Sequence, residues 1–299
     1  MKVVHPEEFG AVRARVERIE AAAQACDGHA SLNEAVWRDL ELAPADSAGF
    51  LVDDAGYAHA ARSDNFSPQH WAIGLALTPE ARADGTRGAL LGATLEHVAT
   101  HGGGRAVLWM LGAPDDDSDI RATGFRPQRE LHEMRVPLPL HESPRVPQGI
   151  EVRTFEPGRD ESAWLVVNNR AFDNHPEQGG WIESTMQRRM REPWFDPSIF
   201  FLAFDAGGLA GSNWMKIHDA HGRDPRLGEI WVIGVDPRMQ GSGLGRALAI
   251  IGLDEVARRG ITTGSLFVAA ENAPALGLYR ALGFDIHRTD RAYECEVPA

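Results

Sequence analysis

One pattern occurs twice in this chain of 299 residues, and its two copies lie about 158 residues apart. In each copy an apolar run ends at a proline, a glycine-containing turn follows, and a helix-like run comes next. The prolines are Pro79 and Pro237, an offset of 237 − 79 = 158. Later Gly-Phe pairs end at Phe125 and Phe284, an offset of 284 − 125 = 159. Two landmarks at nearly one offset predict a duplicated domain, so the fold must be one that each half can form.

A proline-rich segment separates the two copies. Residues 135–147 contain prolines at positions 137, 139, 144 and 147. Because proline fixes φ and donates no hydrogen bond to a strand ladder, this density predicts an extended linker. The chain is long enough for two ordinary domains, and we expect them at residues 1–140 and 149–299.

Each half has the pattern of a mixed α/β (α+β) domain. In the C-terminal half, β-like runs bounded by Gly, Asp and Pro cover residues 199–205, 208–218, 229–236 and 265–270. Gly207 and Gly208 predict a hairpin turn between the first two runs. Residues 243–259 have the apolar spacing of a helix. The same spacing predicts a first helix in the N-terminal half, with the apolar residues Phe9, Val12, Val16 and Ile19.

Composition argues against several classes of protein. The formal net charge of −13 disfavours a nucleic acid or an anionic membrane as the main partner and suits a small cationic substrate. Cys26 and Cys295 lie far apart, and His218 and His221 lie in a charged stretch that we interpret as solvated, so no metal site is expected. The longest apolar run, residues 199–204, is too short to span a bilayer, and the charged N-terminal residues lack a signal peptide's apolar core. We expect a cytoplasmic monomer with reduced thiols.

A glycine-rich turn, Gln240-Gly-Ser-Gly-Leu-Gly245, follows a buried strand and precedes a helix. Its glycines let the backbone approach a ligand, and N–H groups that converge at a helix N-terminus bind a pyrophosphate without side-chain charge. Such a turn alone is also typical of an ordinary helix start. The context is more specific, because Val235-Asp-Pro237 precedes the turn and Leu278-Tyr-x-x-Leu-Gly-Phe284 follows it. A dinucleotide-binding fold would need the turn near the start of its β-α-β unit, and here several strands precede it.

These motifs give the C-terminal half a resemblance to the GNAT acetyltransferases. As a tandem pair, the whole chain is similar to the mycothiol synthase family among them. The similar stretches are residues 172–181, 214–218, 228–237 and 278–284, with a looser match at residues 124–131. The resemblance implies two GNAT domains, each a central, mostly antiparallel mixed sheet flanked by helices. It also implies direct transfer of an acetyl group from acetyl-CoA to the cysteinyl amine of desacetylmycothiol.

The resemblance also implies roles for individual residues. Glu229 would be the general base, and Tyr279 the general acid toward the thiolate leaving group. The acetyl-CoA ligands would be Ile233, Gly234, Val235, Gln240, Gly241, Ser242, Gly243, Leu244, Gly245, Arg246 and Asn272. The substrate ligands would be Glu34, Glu177, Lys216, Glu229 and Phe267. These roles agree with the chemistry, because an acceptor amine must lose a proton and a tyrosine is a neutral donor at pH 7.

Five of these residues also have an ordinary structural interpretation. Glu229 fits a solvent-facing strand position, Tyr279 a packed aromatic, and Lys216 an outward-facing strand lysine. Glu177 lies in a polar loop, where solvation is usual. Ser31-Leu-Asn-Glu34 is a capping-box pattern, which would use the Glu34 side chain to close the first turn of a helix.

The N-terminal half departs from the pattern of a catalytic domain. At the repeat offset of 158, Trp71 stands where the other half has Glu229, and it cannot take a proton. At the offset of 159, Ile120 stands where the other half has Tyr279. Arg87 replaces the last glycine of the turn. We therefore expect this half to be non-catalytic and to serve a structural role.

The acceptor is less constrained than the reaction. Phe267 stands where the family carries a tyrosine that contacts the substrate. Another cationic amine, such as an aminoglycoside or an amino-sugar conjugate, therefore stays open as the acceptor. From a different class, the chain could be a non-catalytic acyl-CoA-binding module, although the retained Glu229, Tyr279 and glycine-rich turn argue against it.

Overall fold

The computed structural model describes residues 1–63, 70–173, 179–220 and 224–299. Contacts divide the chain into two units. Unit 1 comprises Met1–His132, Ala269–Glu271 and Arg288–Ala299, and unit 2 comprises Glu133–Val268 and Asn272–His287. This division differs from the one expected at residues 140 and 149. The reason is that the last twelve residues, Arg288–Ala299, pack in unit 1, whereas residues 133–148 pack in unit 2.

The helices, in chain order, are α1 (Phe9–Asp27), α2 (Glu34–Leu42), α3 (Thr86–Thr100), α4 (Ser118–Ala122), α5 (Glu161–Ala171), α6 (Glu183–Met190), α7 (Leu244–Arg258) and α8 (Ala273–Ala281). The strands are β1 (Lys2–Val4), β2 (Ser47–Val52), β3 (Gly56–Ser63), β4 (His70–Leu77), β5 (Gly104–Met110), β6 (Arg126–Pro137), β7 (Glu151–Thr154), β8 (Phe200–Asp205), β9 (Gly208–His218), β10 (Leu227–Val235), β11 (Thr263–Ala269) and β12 (Asp285–Val297).

Unit 1 is built on a mostly antiparallel sheet. Strands β1, β2, β3 and β4 are antiparallel neighbours in that order, and β5 runs parallel to β4. The last part of β12, from Arg291 to Val297, pairs antiparallel with β5. Helix α1 buries the four residues predicted for it in an apolar cluster, which confirms that helix.

Unit 2 has the same plan. Strands β7, β8, β9 and β10 are antiparallel neighbours, and β11 runs parallel to β10. Helix α7 packs in one apolar cluster with Met215 and Ile230, whereas Trp164 of α5 and Met186 of α6 pack with Trp214 in a second, aromatic cluster. A mixed, mostly antiparallel sheet flanked by helices is the predicted α/β fold class, which is confirmed.

The predicted repeat is visible in the elements themselves. Helices α3 and α7 each contain 15 residues, and they begin at Thr86 and Leu244, 244 − 86 = 158 residues apart. The residue before each helix is a glycine in the left-handed region, Gly85 with φ 85° and Gly243 with φ 87°. Glycine adopts this conformation without the steric cost that other residues meet. In both units a parallel strand then follows the helix.

The predicted strands of the C-terminal half are present as β8 to β11, with no end shifted by more than two residues. The hairpin predicted between the first two is confirmed, because Asp205 of β8 pairs with Gly208 of β9. Its turn is closed by the N–H of Gly207, which donates to Oδ1 of Asp205 at 2.7 Å.

The predicted linker was wrong at its start. Strand β6 runs through residue 137, and Val136 and Leu138 are buried in the core of unit 2. Met134, Val136 and Leu138 alternate with exposed residues 137 and 139, which are prolines. Proline is tolerated at such positions, so the alternation of apolar residues outweighs the prolines and the segment packs as part of the domain.

Within the described ranges, no helix is long and apolar enough to cross a membrane. The same residues contain no group of three or more His, Cys, Asp or Glu side chains that could hold a metal ion. Cys26 and Cys295 are free thiols.

Candidate active site

The centre of the unit 2 sheet carries a buried carboxylate opposite a buried ammonium. Glu229 on β10 is paired with Lys216 on antiparallel β9 and with Ser265 on parallel β11. Residues paired in this way point to one face of a sheet, so the three side chains share a face. Glu229 and Lys216 each expose 7% of their surface. The solvent-facing interpretation of both residues is therefore wrong.

His218, the last residue of β9, hydrogen-bonds to Glu229. Its Nε2 lies 2.5 Å from Oε2 of Glu229. Because His218 is two residues from Lys216 on the same strand, its side chain points to the same face. The prediction that His218 is solvated was wrong: β9 extends through it, and its side chain exposes only 28%. His221 lies outside the described residues.

A tryptophan ring lies by the ammonium of Lys216. Nζ of Lys216 lies 5.0 Å from the ring centre of Trp194, a distance at which a cation is attracted to an aromatic face. Trp194 packs in turn against Trp231 and Trp214, with ring centres 4.8 Å and 6.0 Å apart. Such an apolar lining strengthens the interactions of the charges that it surrounds.

Strands β10 and β11 diverge just beyond Glu229. Their parallel pairing ends at Ile230 and Leu266. The register of β10 with β9 shifts after Ile230, so a bulge bends β10 at this point. Strand β10 then continues to Val235 alongside β9. The backbone of residues 233–235 therefore borders the divergence, where an extended ligand can hydrogen-bond to a strand edge.

The three residues at this end of β10 differ in burial. Ile233 and Val235 are half-buried, and Gly234 is buried. A Cβ atom at Gly234 would lie 3.2 Å from Cβ of Ala171 and 3.2 Å from the ring of Phe172. Gly234 thus has a packing role, because its missing side chain lets the end of α5 lie close to β10.

Gly241 and Gly243 shape the turn before α7. Both adopt left-handed backbone conformations, with φ 77° and 87°. A Cβ atom at either residue would meet no atom within 4 Å, so space is open beside the turn. No side chain caps α7 at Gly243, and the N–H of Leu244 makes only a 3.4 Å contact with Oγ of Ser242. The N–H groups of the first turn of α7 can therefore donate hydrogen bonds to a diphosphate, which the helix dipole favours.

The residues at the two ends of the predicted phosphate-binding turn, Gln240 to Arg246, differ from its glycines in their exposure and their side-chain contacts. Gln240 is exposed, and Gly245 is half-buried. Nη2 of Arg246 donates to Oε2 of Glu142 at 2.6 Å and to the carbonyl oxygen of Ala281 at 3.1 Å. Nε and Nη2 of the Arg246 guanidinium are thus engaged within the protein.

Tyr279 and Asn272 lie on α8 and at its start. The ring of Tyr279 packs against Phe284, with ring centres 5.7 Å apart, and only 6% of the residue is exposed. Burial raises the pKa of Tyr279 to about 12, so its hydroxyl stays protonated at neutral pH and can act as a donor. Asn272 is exposed and caps α8, with Oδ1 accepting the N–H of Ala275 at 3.2 Å.

Phe267 presents an aromatic ring on β11. It is two residues from Ser265, so it lies on the face that carries Glu229. Phe267 exposes 44% of its surface. An open apolar surface therefore lies on the same face as the buried carboxylate.

Comparison with known proteins identifies the family. The profile of the acetyltransferase (GNAT) family matches residues 166–284. The mycothiol acetyltransferase of Thermobispora bispora is 43% identical over 284 residues, which cover 92% of this chain and 92% of that protein. The mycothiol acetyltransferase of Thermomonospora curvata is 40% identical over 293 residues, covering 95% of each chain. This chain belongs to the mycothiol acetyltransferase family.

Solved structures agree with the fold of this mycothiol acetyltransferase family member. A GCN5-related N-acetyltransferase from Sphaerobacter thermophilus covers the whole chain at 23% identity with a TM-score of 0.74, over 96% of its own length. A tandem GNAT protein from the clavulanic acid biosynthesis pathway covers the whole chain at 17% identity with a TM-score of 0.71, over 99% of its own length. At these identities the likeness concerns the fold. Family membership makes the protein an acetyl-CoA-dependent N-acetyltransferase that acts on a small molecule.

The other two acidic residues predicted to bind the substrate of this acetyltransferase are Glu34 and Glu177. Glu34 is exposed and begins α2, but Asn33 caps that helix, with Oδ1 accepting the N–H groups of Ala35 and Val36 at 3.1 Å and 3.2 Å. The capping-box prediction was therefore wrong, because the N-cap of α2 is Asn33, two residues after Ser31. Glu177 lies outside the described residues.

Unit 1 of the acetyltransferase lacks a base at the position equivalent to Glu229. Trp71 stands there, buried at 2% exposure, and its indole Nε1 donates to the carbonyl oxygen of Gly103 at 3.1 Å. Ile120, equivalent to Tyr279, is fully buried in the apolar core of unit 1. Neither side chain can transfer a proton to or from a substrate.

A cavity of about 410 Å³ lies beside the matching turn of unit 1. Two arginines line it, and both are paired with carboxylates. Arg82 makes a bidentate contact with Asp27 at 2.7 Å and 2.6 Å, and Arg87 donates to Asp119 at 2.6 Å. Oδ1 of Asp84 accepts the N–H of the first residue of α3 at 2.9 Å. A carboxylate thus already occupies the helix N-terminus at which the other unit presents a neutral serine, Ser242.

Proposed function

We propose that this acetyltransferase transfers the acetyl group of acetyl-CoA to the cysteinyl amine of desacetylmycothiol. The observation that carries the proposal is the buried carboxylate of Glu229, bonded to His218 next to the divergence of β10 and β11. Membership of the mycothiol acetyltransferase family supports this choice of acceptor, because relatives with that name are 43% and 40% identical over nearly the whole chain.

Glu229 is proposed as the general base. An α-amine has a pKa of about 8, so much of it is protonated at neutral pH and cannot attack a thioester. A carboxylate beside the acceptor takes up the proton as the nitrogen attacks the acetyl carbonyl carbon, which contributes about 10²- to 10⁴-fold in rate. Glu229 exposes only 7% of its surface, so little bulk water competes with the acceptor for its carboxylate.

Tyr279 is proposed as the general acid. When the tetrahedral carbon expels the CoA sulfur, the sulfur needs a proton, and a phenol whose pKa is raised to about 12 is a neutral donor over the working pH range. Backbone groups of Ile233, Gly234 and Val235 are proposed to bind the pantetheine arm. The turn made of Gln240, Gly241, Ser242, Gly243, Leu244, Gly245 and Arg246 is proposed to bind the diphosphate through its N–H groups. Asn272 is proposed to line the CoA channel.

Lys216 and Phe267 are proposed to contact the acceptor on the face that carries Glu229. The Phe267 ring offers an apolar surface and no hydroxyl, and Lys216 is a donor suited to the hydroxyl-rich end of a sugar conjugate. Glu34 and Glu177 stay proposed substrate ligands on the strength of the resemblance.

Residues 1–140 are proposed as a non-catalytic GNAT domain, and residues 149–299 as the catalytic one. The support is the absence of an ionisable side chain at Trp71 and Ile120, together with the carboxylates that neutralise Arg82 and Arg87. Strands β6 and β12 each begin in one unit and end in the other. This does not change the assignment, since the proposed catalytic residues all lie in unit 2.

The acceptor is tested by initial rates with desacetylmycothiol and with a panel of aminoglycosides and amino-sugar conjugates. The acetylated product is identified by mass spectrometry, because the acceptor's own thiol interferes with thiol reagents. We expect kcat/KM for desacetylmycothiol to exceed that for the other amines by at least about 100-fold, the discrimination that several lost polar contacts cause. A higher kcat/KM for an aminoglycoside would mean that desacetylmycothiol is not the preferred acceptor, although the reaction would still be N-acetylation.

A further inference from the structure

The side chain of His218 on β9 contacts Glu229 on the neighbouring strand β10 along a diagonal of the ladder. The register pairs His218 with Leu227 and Lys216 with Glu229, so the imidazole extends toward the next pair of the ladder. Nε2 of His218 and Oε2 of Glu229, 2.5 Å apart, are in hydrogen-bond contact. Lys216, in contrast, directs its Nζ toward the ring of Trp194. Among these neighbours, His218 is the one whose hydrogen bond constrains the carboxylate.

We infer that His218 is a positioning residue for the base. Its Nε2–H holds Oε2 of Glu229, and Oε1 is left to take the proton of the acceptor amine. The inference rests on the proposed function of Glu229. An ionised carboxylate only accepts hydrogen bonds, so Nε2 of His218 must carry the hydrogen. Oε1 of Glu229 makes no hydrogen bond with the part of the chain that the structure describes.

Positioning matters because the carboxylate stands at the end of a flexible side chain. A general base must lie about 2.6–3.2 Å from the atom whose proton it takes. A displacement of about 1 Å can cost about 100-fold in rate. A hydrogen bond to one oxygen fixes the carboxylate plane, and with it the direction in which the second oxygen accepts a proton. His218 can therefore raise the rate without contacting the substrate.

Two substitutions separate the hydrogen bond from the bulk of the ring. His218→Phe keeps a ring and removes the donor, whereas His218→Gln places an amide N–H₂ close to the Nε2 position and cannot take up a proton. We expect His218→Phe to lower kcat by about 10- to 100-fold and to leave the KM for acetyl-CoA unchanged. We expect His218→Gln to keep kcat within about threefold of the wild type, as a rescue by the retained hydrogen bond. If His218→Phe does not fold, His218→Asn, whose shorter amide cannot reach Oε2, takes its place.

The same substitution in a Glu229→Gln background tests whether His218 acts through Glu229. If it does, adding His218→Phe to Glu229→Gln should change kcat by less than about twofold, since the group that it positions is gone. Three results would overturn the inference: normal kcat in His218→Phe, equal losses in His218→Gln and His218→Phe, or losses that multiply in the double variant.

The outcomes for His218 and for the proposed function are distinguishable. A wild-type protein that does not acetylate desacetylmycothiol, or a Glu229→Gln variant with normal kcat, contradicts the proposed function. Wild-type activity, a slow Glu229→Gln variant and a normal His218→Phe variant contradict the role of His218 alone.

Discussion

Glu229 and Lys216 are paired across β10 and β9, and each exposes only 7% of its surface. Burying a charge costs several kcal/mol unless it is paired and hydrogen-bonded. Here His218 bonds the carboxylate, and the ring of Trp194 lies by the ammonium. Buried ionisable groups beside an opening between two strands are typical of a functional site rather than of a packed core.

The role of Glu229 predicts the effect of removing its charge. Glu229→Gln should lower kcat by at least about tenfold, because the variant keeps the shape of the side chain and loses the base. The Kd for acetyl-CoA, measured by calorimetry, should stay close to that of the wild type. Asp160→Asn is the control for the loss of a buried carboxylate, since Asp160 exposes 3% of its surface and is paired with Arg153. Unchanged turnover of Glu229→Gln across about pH 6 to 9 would remove Glu229 from this role.

The repeat supplies a control for the phosphate loop. Gly243→Val and Gly85→Val each place a β-branched residue at a left-handed N-cap, with φ 87° and 85°, so both should lose similar stability. Only Gly243→Val should also abolish acetyl-CoA binding in calorimetry, because its side chain would fill the space open to the diphosphate. Near-normal affinity in Gly243→Val would contradict the proposed phosphate site, and a loss of binding in Gly85→Val would show that unit 1 contributes to it.

The structure separates the two possible roles of Glu34. Since Asn33 caps α2, Asn33→Ala should cost about 1 kcal/mol of stability and leave the acceptor KM unchanged. Glu34→Gln should raise the acceptor KM with little change in thermal midpoint if Glu34 binds the substrate. An unchanged KM in Glu34→Gln would remove Glu34 from the proposed substrate ligands.

Removal of one oxygen tests the general acid. Tyr279→Phe should lower kcat by about 10- to 100-fold, because the CoA sulfur then leaves without a proton donor. The ring packs against Phe284 and survives the substitution, so the thermal midpoint should change little. Because burial raises the pKa of Tyr279 to about 12, its ionisation should not limit the wild-type rate at neutral or mildly alkaline pH. A Tyr279→Phe variant with the wild-type kcat would leave the ring with a packing role alone.

An ion pair between the buried Asp160 and the half-buried Arg153 in unit 2 predicts a pH-dependent part of the stability. Asp160 accepts two hydrogen bonds from Arg153, at 2.6 Å and 2.7 Å, and the Arg153 guanidinium holds the pKa of Asp160 below its ordinary value of 3.8. A carboxyl with a lowered pKa stabilises the fold above its ordinary pKa and loses this contribution as the pH falls through the lowered value. In urea unfolding, Asp160→Asn should therefore cost about 1–3 kcal/mol at pH 7.

The difference between Asp160→Asn and the wild type should shrink below about pH 4, as the wild-type carboxyl is protonated. Asp54→Asn is the control, because Asp54 pairs with Arg15 in an exposed position and surface pairs contribute little. A difference for Asp160→Asn that is constant from pH 7 to pH 3 would show that the charge is not its cause.

Local patterns in the sequence determined the elements around the site. The 3-4-3 spacing from Phe9 to Ile19 predicted α1, and the punctuated apolar runs predicted β8 to β11 within two residues. The repeat offset predicted that Gly85 and Gly243 precede equivalent helices. These features could be predicted because periodicity and glycine conformation depend on residues that are neighbours along the chain.

Only the tertiary structure decided which side chains meet. The charged stretch around His218 looked solvated, yet the register of β9 on β10 brings its imidazole onto Glu229, eleven residues away. Val136 and Leu138 looked like linker residues, yet they complete the core of unit 2. Strand β12 begins in unit 2 and ends in unit 1, a path that no motif marks. Register and burial are set by the pairing of whole strands, so the energy that selects these contacts is shared among residues far apart in the sequence.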